Sequence, residues 1–232
     1  MKRTCIFTGL LCAAVSLCFS QANFLRGEEL FMQNKPQEAL VYLENCVAED
    51  PAHVQAFLYL GIVYEQLGRV DEAIAVYRRI LPRAGTYTSY VSANLANAYF
   101  RKGNAELAEQ FFTQALDADP SYSSAYLGRA NARIKMGARQ SAAADYEMYL
   151  TLEPRSPKRP EVERMIAFIR DEIAAAERQK FLAEEAARAE AERRQRLLDE
   201  LAASLLSAAD ESKGLSTGAE NVEAYDNEFE LQ

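Results

Sequence analysis

The chain has 232 residues, with 34 acidic and 26 basic side chains for a formal net charge of −8, one histidine, four cysteines and no tryptophan. His53 has no second His or Cys at metal-ligand spacing, which argues against a zinc-type site. No segment combines a basic stripe with interleaved aromatics, which argues against a nucleic-acid partner.

The first element is a leader. Met1-Lys2-Arg3 is basic, the run from Cys5 to Phe19 is apolar, and Ser20-Gln21-Ala22 presents small residues at alternate positions. That order predicts a secretory signal over residues 1–22, cut after Ala22. The apolar run is short for a membrane span, which wants about 20 residues. Two other readings stay open: an uncleaved anchor, and a lipoprotein in which Cys18 is lipidated. Leu17 stands where a lipobox wants a small residue. The expected setting is export, to the periplasm or in association with the envelope. With Cys5, Cys12 and Cys18 in the leader, Cys46 is the one mature cysteine and is read as a small buried residue.

Next comes a repeat over residues 23–154. Small residues recur at Gly27, Gly61, Ala96 and Ala130, and again at Ala39, Ala73, Ala108 and Ala142. Bulky positions follow at Leu30, Tyr64, Tyr99 and Arg133, and turn positions at Asn34, Gly68, Gly103 and Gly137. Leu43, Tyr77, Phe112 and Tyr146 form one further column, and Pro51, Pro120 and Pro154 another. A fixed period near 34 residues marks a repeat architecture. The unit boundaries are about 20–53, 54–88, 89–122 and 123–156. Each unit reads as helix, turn, helix: Phe57, Leu60, Gly61 and Tyr64 share one face by their spacing, and Gly68 suits a left-handed helix end. One such pair cannot bury its apolar face alone, so stacked neighbours make the core. A surface of this kind points to binding rather than catalysis.

These columns resemble the tetratricopeptide repeat, with Gly61, Tyr64, Ala73 and Tyr77, and Tyr99, Ala108, Phe112 and Pro120, matching its small, aromatic and Pro positions. The resemblance implies an all-α fold, a right-handed α-solenoid of four helix pairs. It also implies that the first helix of each unit lines a concave groove for an extended peptide or a partner helix. The groove positions it implies in units one and two are Phe24, Glu28, Phe31, Gln55, Leu58, Ile62 and Glu65. In units three and four they are Tyr90, Asn94, Asn97, Arg101, Leu127, Asn131 and Lys135. Asn97 and Asn131 hold one place in successive units, where an amide can both donate to and accept from a peptide backbone. The chaperone-binding subfamily clamps a terminal carboxylate with bases; Tyr90, Ala93 and Ser124 stand at several of the places needed. Arg133 departs from the expected aromatic, which should loosen the fourth unit.

The C-terminal third follows Pro154, Pro157 and Pro160. A helix is predicted to start between Pro157 and Glu161, with Val162, Ile166, Ile169 and Ile173 capping the last repeat. Good helix formers continue it to Ala209 as a long charged helix, the whole segment being 157–209. Leu198, Leu201 and Leu205, beside Leu197 and Leu206, leave three readings open: a solvated single helix, a weak self-associating coiled coil, and a helix broken near Gln179. The acid-rich residues 210–232 are expected to be disordered, with Tyr225, Phe229 and Leu231 as a docking candidate.

Neither a Gly-rich phosphate loop, CxxC nor HExxH is present. The expectation is a non-enzymatic protein-protein interaction scaffold of the bacterial cell envelope, without cofactor or metal. Its partner is expected to be a protein or peptide, and membrane contact to come only through lipidation or a partner. The alternatives are a self-associating structural protein working through its long helix, as a weak homo-oligomer, and a lipid-anchored envelope lipoprotein.

Overall fold

The computed structural model describes residues 19–218, with side chains described to Glu211. Residues 1–18, with Cys18 and most of the expected leader, and residues 219–232, with the docking candidate Tyr225, Phe229 and Leu231, lie outside the described residues. Among the described residues the regular structure is helical. Helix α1 occupies residues 19–32. It is followed by α2 (Pro36–Glu49), α3 (Val54–Gln66) and α4 (Val70–Ile80), then by 3-10 turns at Leu81–Arg83 and Gly85–Tyr87. Then come α5 (Thr88–Arg101), α6 (Ala105–Ala118), α7 (Ser123–Lys135), α8 (Arg139–Leu152) and α9 (Arg159–Gly218).

The four turn positions end their first helices in the same way. Asn34, Gly68, Gly103 and Gly137 all take positive φ, between 56° and 81°. At each, two backbone bonds close the helix. In unit two Arg69 N donates to the Tyr64 carbonyl at 2.8 Å and Gly68 N to Glu65 at 3.0 Å. The same pair recurs from Lys35 and Asn34, from Asn104 and Gly103, and from Ala138 and Gly137. This double closure satisfies carbonyls the helix end would leave unpaired.

The small residues set how closely helices approach. A Cβ on Gly61 would lie 2.2 Å from Tyr77 Cε1, and one on Gly27 would lie 2.8 Å from Leu43 Cγ. Gly128 does the same between units three and four, with the Phe112 ring 2.2 Å from where its Cβ would be. Tyr77, Phe112, Leu43 and Ile80 are consequently buried to 1% exposure or less.

The core advances along the chain in three clusters. The first runs from Phe24 through Leu43, Phe57 and Tyr77 to Leu95. A second joins α5, α6 and α7 around Ala96, Phe112 and Ala132, and a third joins α7 and α8 to Val162, Ile166 and Ile169 at the start of α9. Stacked helix pairs closed by a capping helix make an α-solenoid. The first compact unit closes at Ile173 and a second begins at Ala174.

Three sequence expectations are met differently. Arg133 does not loosen the fourth unit. Its guanidinium reaches Glu109 on α6 at 2.7 Å and Asp145 on α8 at 2.8 Å. Arg129 holds the same Asp145 with two bonds, at 2.8 and 2.9 Å, and also donates to Thr113 Oγ1. An ionic cluster thus replaces the expected aromatic, because a planar fork with five donors can join three helices at once. Second, α9 is unbroken at Gln179. Third, it continues past Ala209 to Gly218, since residues 210–213 contain no breaker and an established helix extends at low cost per residue.

Candidate functional site

Cys46 and His53, the two residues with the most versatile chemistry, are structural. Cys46 is buried beneath Ser20, whose Oγ lies 3.4 Å from its sulfur, and burial raises its thiol pKa. His53 caps α3, its Nδ1 accepting from Ala56 N at 3.2 Å, while its ring lies 4.5 Å from that of Phe24. Among the described residues no group of three His, Cys, Asp or Glu is placed to hold a metal ion, and no helix is long and apolar enough to cross a membrane.

Helix α3 touches α5 and α5 touches α7, as each touches its own partner, so the three form a continuous row. Preceded by α1, which holds Phe24, Glu28 and Phe31, this row carries the groove positions expected from the sequence. Its first part is aromatic: Phe31 meets Tyr59 edge-on at 5.0 Å, and Tyr59 also lies 6.0 Å from Phe24. Phe24 itself is buried in the core and offers little surface. Glu28 is half-buried beside Tyr59; burial first, then this neighbouring carboxylate, raises the phenol pKa. Gln55, Leu58 and Ile62 are half-buried, with Leu58 and Ile62 packed on the first core cluster.

The middle of the row is more polar. Tyr90 is 45% exposed, and its ring lies 5.1 Å from that of Tyr122, tilted by 52°. Asn94 spends its amide on its own helix, donating to the Tyr90 carbonyl at 2.9 Å. Arg101 crosses to Glu65 at 3.4 Å. Glu65 also accepts from Tyr77 OH at 2.9 Å, and burial raises its pKa despite both partners. Arg101 and Lys135 hold matching places in successive units and border one open depression of about 560 Å³ with Phe100, Gly103, Ala105 and Glu106.

The structure separates the two equivalent asparagines. Asn131 Oδ1 accepts from the buried Tyr146 OH at 2.6 Å. It lines a recess of about 120 Å³ with Leu127, Lys158, Glu161, Val162 and Met165. In unit three the column of Tyr146 holds Phe112, and phenylalanine has no hydroxyl to give. The Asn97 side chain is exposed and makes no hydrogen bond among the described residues, whereas that of Asn131, equally exposed, is engaged by Tyr146. The difference was readable only from the residue one helix away, not from the matching position of the two asparagines.

Two family models, both described as tetratricopeptide repeat, match residues 30–98 and 90–122. The chain carries tetratricopeptide repeats. RNA polymerase II-associated protein 3 of Homo sapiens is 34% identical over 134 residues, which is 56% of this chain and 20% of that protein. The chain therefore spans about a fifth of this relative's length. Among solved structures, MamA superposes with a TM-score of 0.59 at 18% identity, over 66% of this chain and 81% of that one. YrrB, described as a TPR protein with an unusual peptide-binding site, superposes with a TM-score of 0.55 at 16% identity, over 63% and 74%. Both likenesses establish the fold alone. The tetratricopeptide repeats here position Asn97, Tyr90 and Arg101 on one exposed helix row.

Proposed function

We propose that the chain is a non-enzymatic scaffold that binds an extended peptide or a partner helix along the row of first helices. The observation that carries this reading is Asn97, an exposed amide left unpaired by the fold between exposed Tyr90 and Arg101. An amide so placed can hold a peptide backbone by one donor and one acceptor, while the Tyr90–Tyr122 pair offers an apolar face. YrrB, of the same fold, is described as binding peptide, which is in keeping with this use of the row. Tyr90, Ala93 and Ser124 supply no base, so a ligand held by a clamped terminal carboxylate is disfavoured.

Replacing Asn97 by Ala should weaken binding of the natural partner by about 0.5–1.5 kcal/mol, the net worth of a neutral hydrogen bond, and leave the urea midpoint unchanged. Asn131→Ala behaves differently: it also strips the acceptor from buried Tyr146 OH and should cost stability. Removing residues after Ala176 should leave the contact intact. If Asn97→Ala binds normally while that deletion abolishes binding, the row is a bystander.

For the setting, the leader pattern supports an exported protein of the bacterial envelope. Sequencing the N-terminus of the protein from its native source should start at Asn23. A start at Met1 would refute cleavage, and an acylated Cys18 would favour the lipoprotein.

A further inference from the structure

Five leucines, Leu197, Leu198, Leu201, Leu205 and Leu206, stand on α9 with between 51% and 69% of each exposed. They fall within ten residues of an unbroken helix. At 100° per residue they occupy one half of its circumference, with Ala202, Ala208 and Ala209 among them, while Asp199, Glu200, Asp210 and Glu211 occupy the other half. An apolar half-face of this density is unusual on a solvated helix. Upstream, from Ala174 to Arg196, the same helix shows only two large exposed apolar side chains, Phe181 and Leu182. The cluster is therefore local.

The order of residues suggests what covers it. Reflected about the point between Leu201 and Ala202, Leu198 falls on Leu205, Leu197 on Leu206 and Arg193 on Asp210. Leu198 and Leu205 both lie near the centre of the apolar face, so the face meets its own reversed copy leucine to leucine there. Charge has the same direction: Arg193, Arg194 and Arg196 precede the leucines, and Asp210 and Glu211 follow them. Glu192 is already paired within its own helix to Arg196 at 3.8 Å, leaving Arg193 and Arg194 to face outward partners. A parallel pair would lay arginine on arginine and acid on acid. An antiparallel pair lays each basic end beside the other's acidic end and sets Leu198 against Leu205.

We propose that residues 193–211 form an antiparallel, two-fold self-association site that pairs two copies of this chain. Such an isologous contact lets one patch serve both sides, each residue and its mate being exchanged by the axis. The segment measures roughly 28 Å, shorter than a sustained coiled coil, so the dimer is weak and concentration-dependent. It rests on α9 alone and is independent of the groove.

Sedimentation equilibrium of the full chain without its leader, over a wide concentration range at low salt, tests this. The expected result is a monomer–dimer equilibrium that shifts toward monomer as salt rises. The triple variant Leu198→Glu, Leu201→Glu, Leu205→Glu should be monomeric throughout, with the solenoid's thermal transition unchanged because these side chains are exposed. Arg193→Glu with Arg194→Glu should weaken the dimer by roughly tenfold, the attraction of each basic end for the other copy's acidic end being turned into repulsion. Adding Asp210→Lys and Glu211→Lys to that variant should restore it. Rescue of this kind distinguishes antiparallel from parallel pairing. A monomer at every concentration, or a dimer indifferent to the leucine changes, overturns the proposal. So does a dimer that the second charge reversal fails to restore, or leucines that are occupied only by a different protein.

Discussion

Asp145 illustrates how much one side chain can decide here. It has 5% of its side chain exposed and accepts from Arg129 and Arg133, themselves 14% and 20% exposed. Burying three charges is costly, but each is met by an opposite charge with good hydrogen-bond geometry. Removing the shared partner leaves two guanidinium groups largely buried and only partly compensated. Asp145→Ala should therefore lower stability by about 3–5 kcal/mol, measured as a shift in the urea midpoint. Asp71, which pairs with Lys102 on the surface, provides the contrast. Its replacement by Ala should cost less than about 1 kcal/mol. A similar loss for both would mean that the cluster does not join α6, α7 and α8.

At the scale of the element, the helices are held apart or together by the size of one residue. Ala73 has no exposed surface and lies where α3 and α4 cross, whereas Ala175 is exposed on α9. Ala73→Leu must fit three more heavy atoms into a filled contact, at a typical cost of about 1–3 kcal/mol. Ala175→Leu adds the same atoms in water and should change little. Comparing their urea midpoints tests the repeat register directly, because equal shifts would mean that Ala73 is not at a helix crossing. The positive-φ turns belong to the same scale: they close four helices by one pattern because glycine, and asparagine at Asn34, accept that conformation more readily than other residues.

For the whole molecule, stability depends on finishing the solenoid. Val162, Ile166 and Ile169 cover the last pair, exposed by 7% or less. A chain ending at Glu153 would leave Tyr146, Tyr149 and Leu150 facing water. At roughly 1.5–3 kcal/mol for each large apolar side chain, it should lose several kcal/mol and melt far earlier. A chain ending at Ile173 retains the first compact unit and should melt close to the full chain. Thermal denaturation of the two truncations decides this. Early melting of both would place part of the cap beyond Ile173.

The repeat columns were legible because local rules set them. Gly68, Gly103 and Gly137 announce left-handed turns, and the paired small and bulky positions announce a helix crossing wherever they stand in a unit. Period and composition were enough for the solenoid, its capping stripe and the start of the long helix, but not for that helix's continuity at Gln179 or its end. What lay beyond them depended on residues distant in the chain. Arg133 appeared to be a defect until folding placed Glu109 and Asp145 around it, and Asn97 and Asn131 appeared interchangeable until Tyr146 engaged Asn131 alone. A hydrogen bond is fixed by the atom across the interface, and position within a repeat does not specify that atom. The sequence by itself therefore determined which helices form and how they stack. Only the tertiary structure decided which polar side chains that stacking consumes and which, like Asn97, it leaves open to a partner.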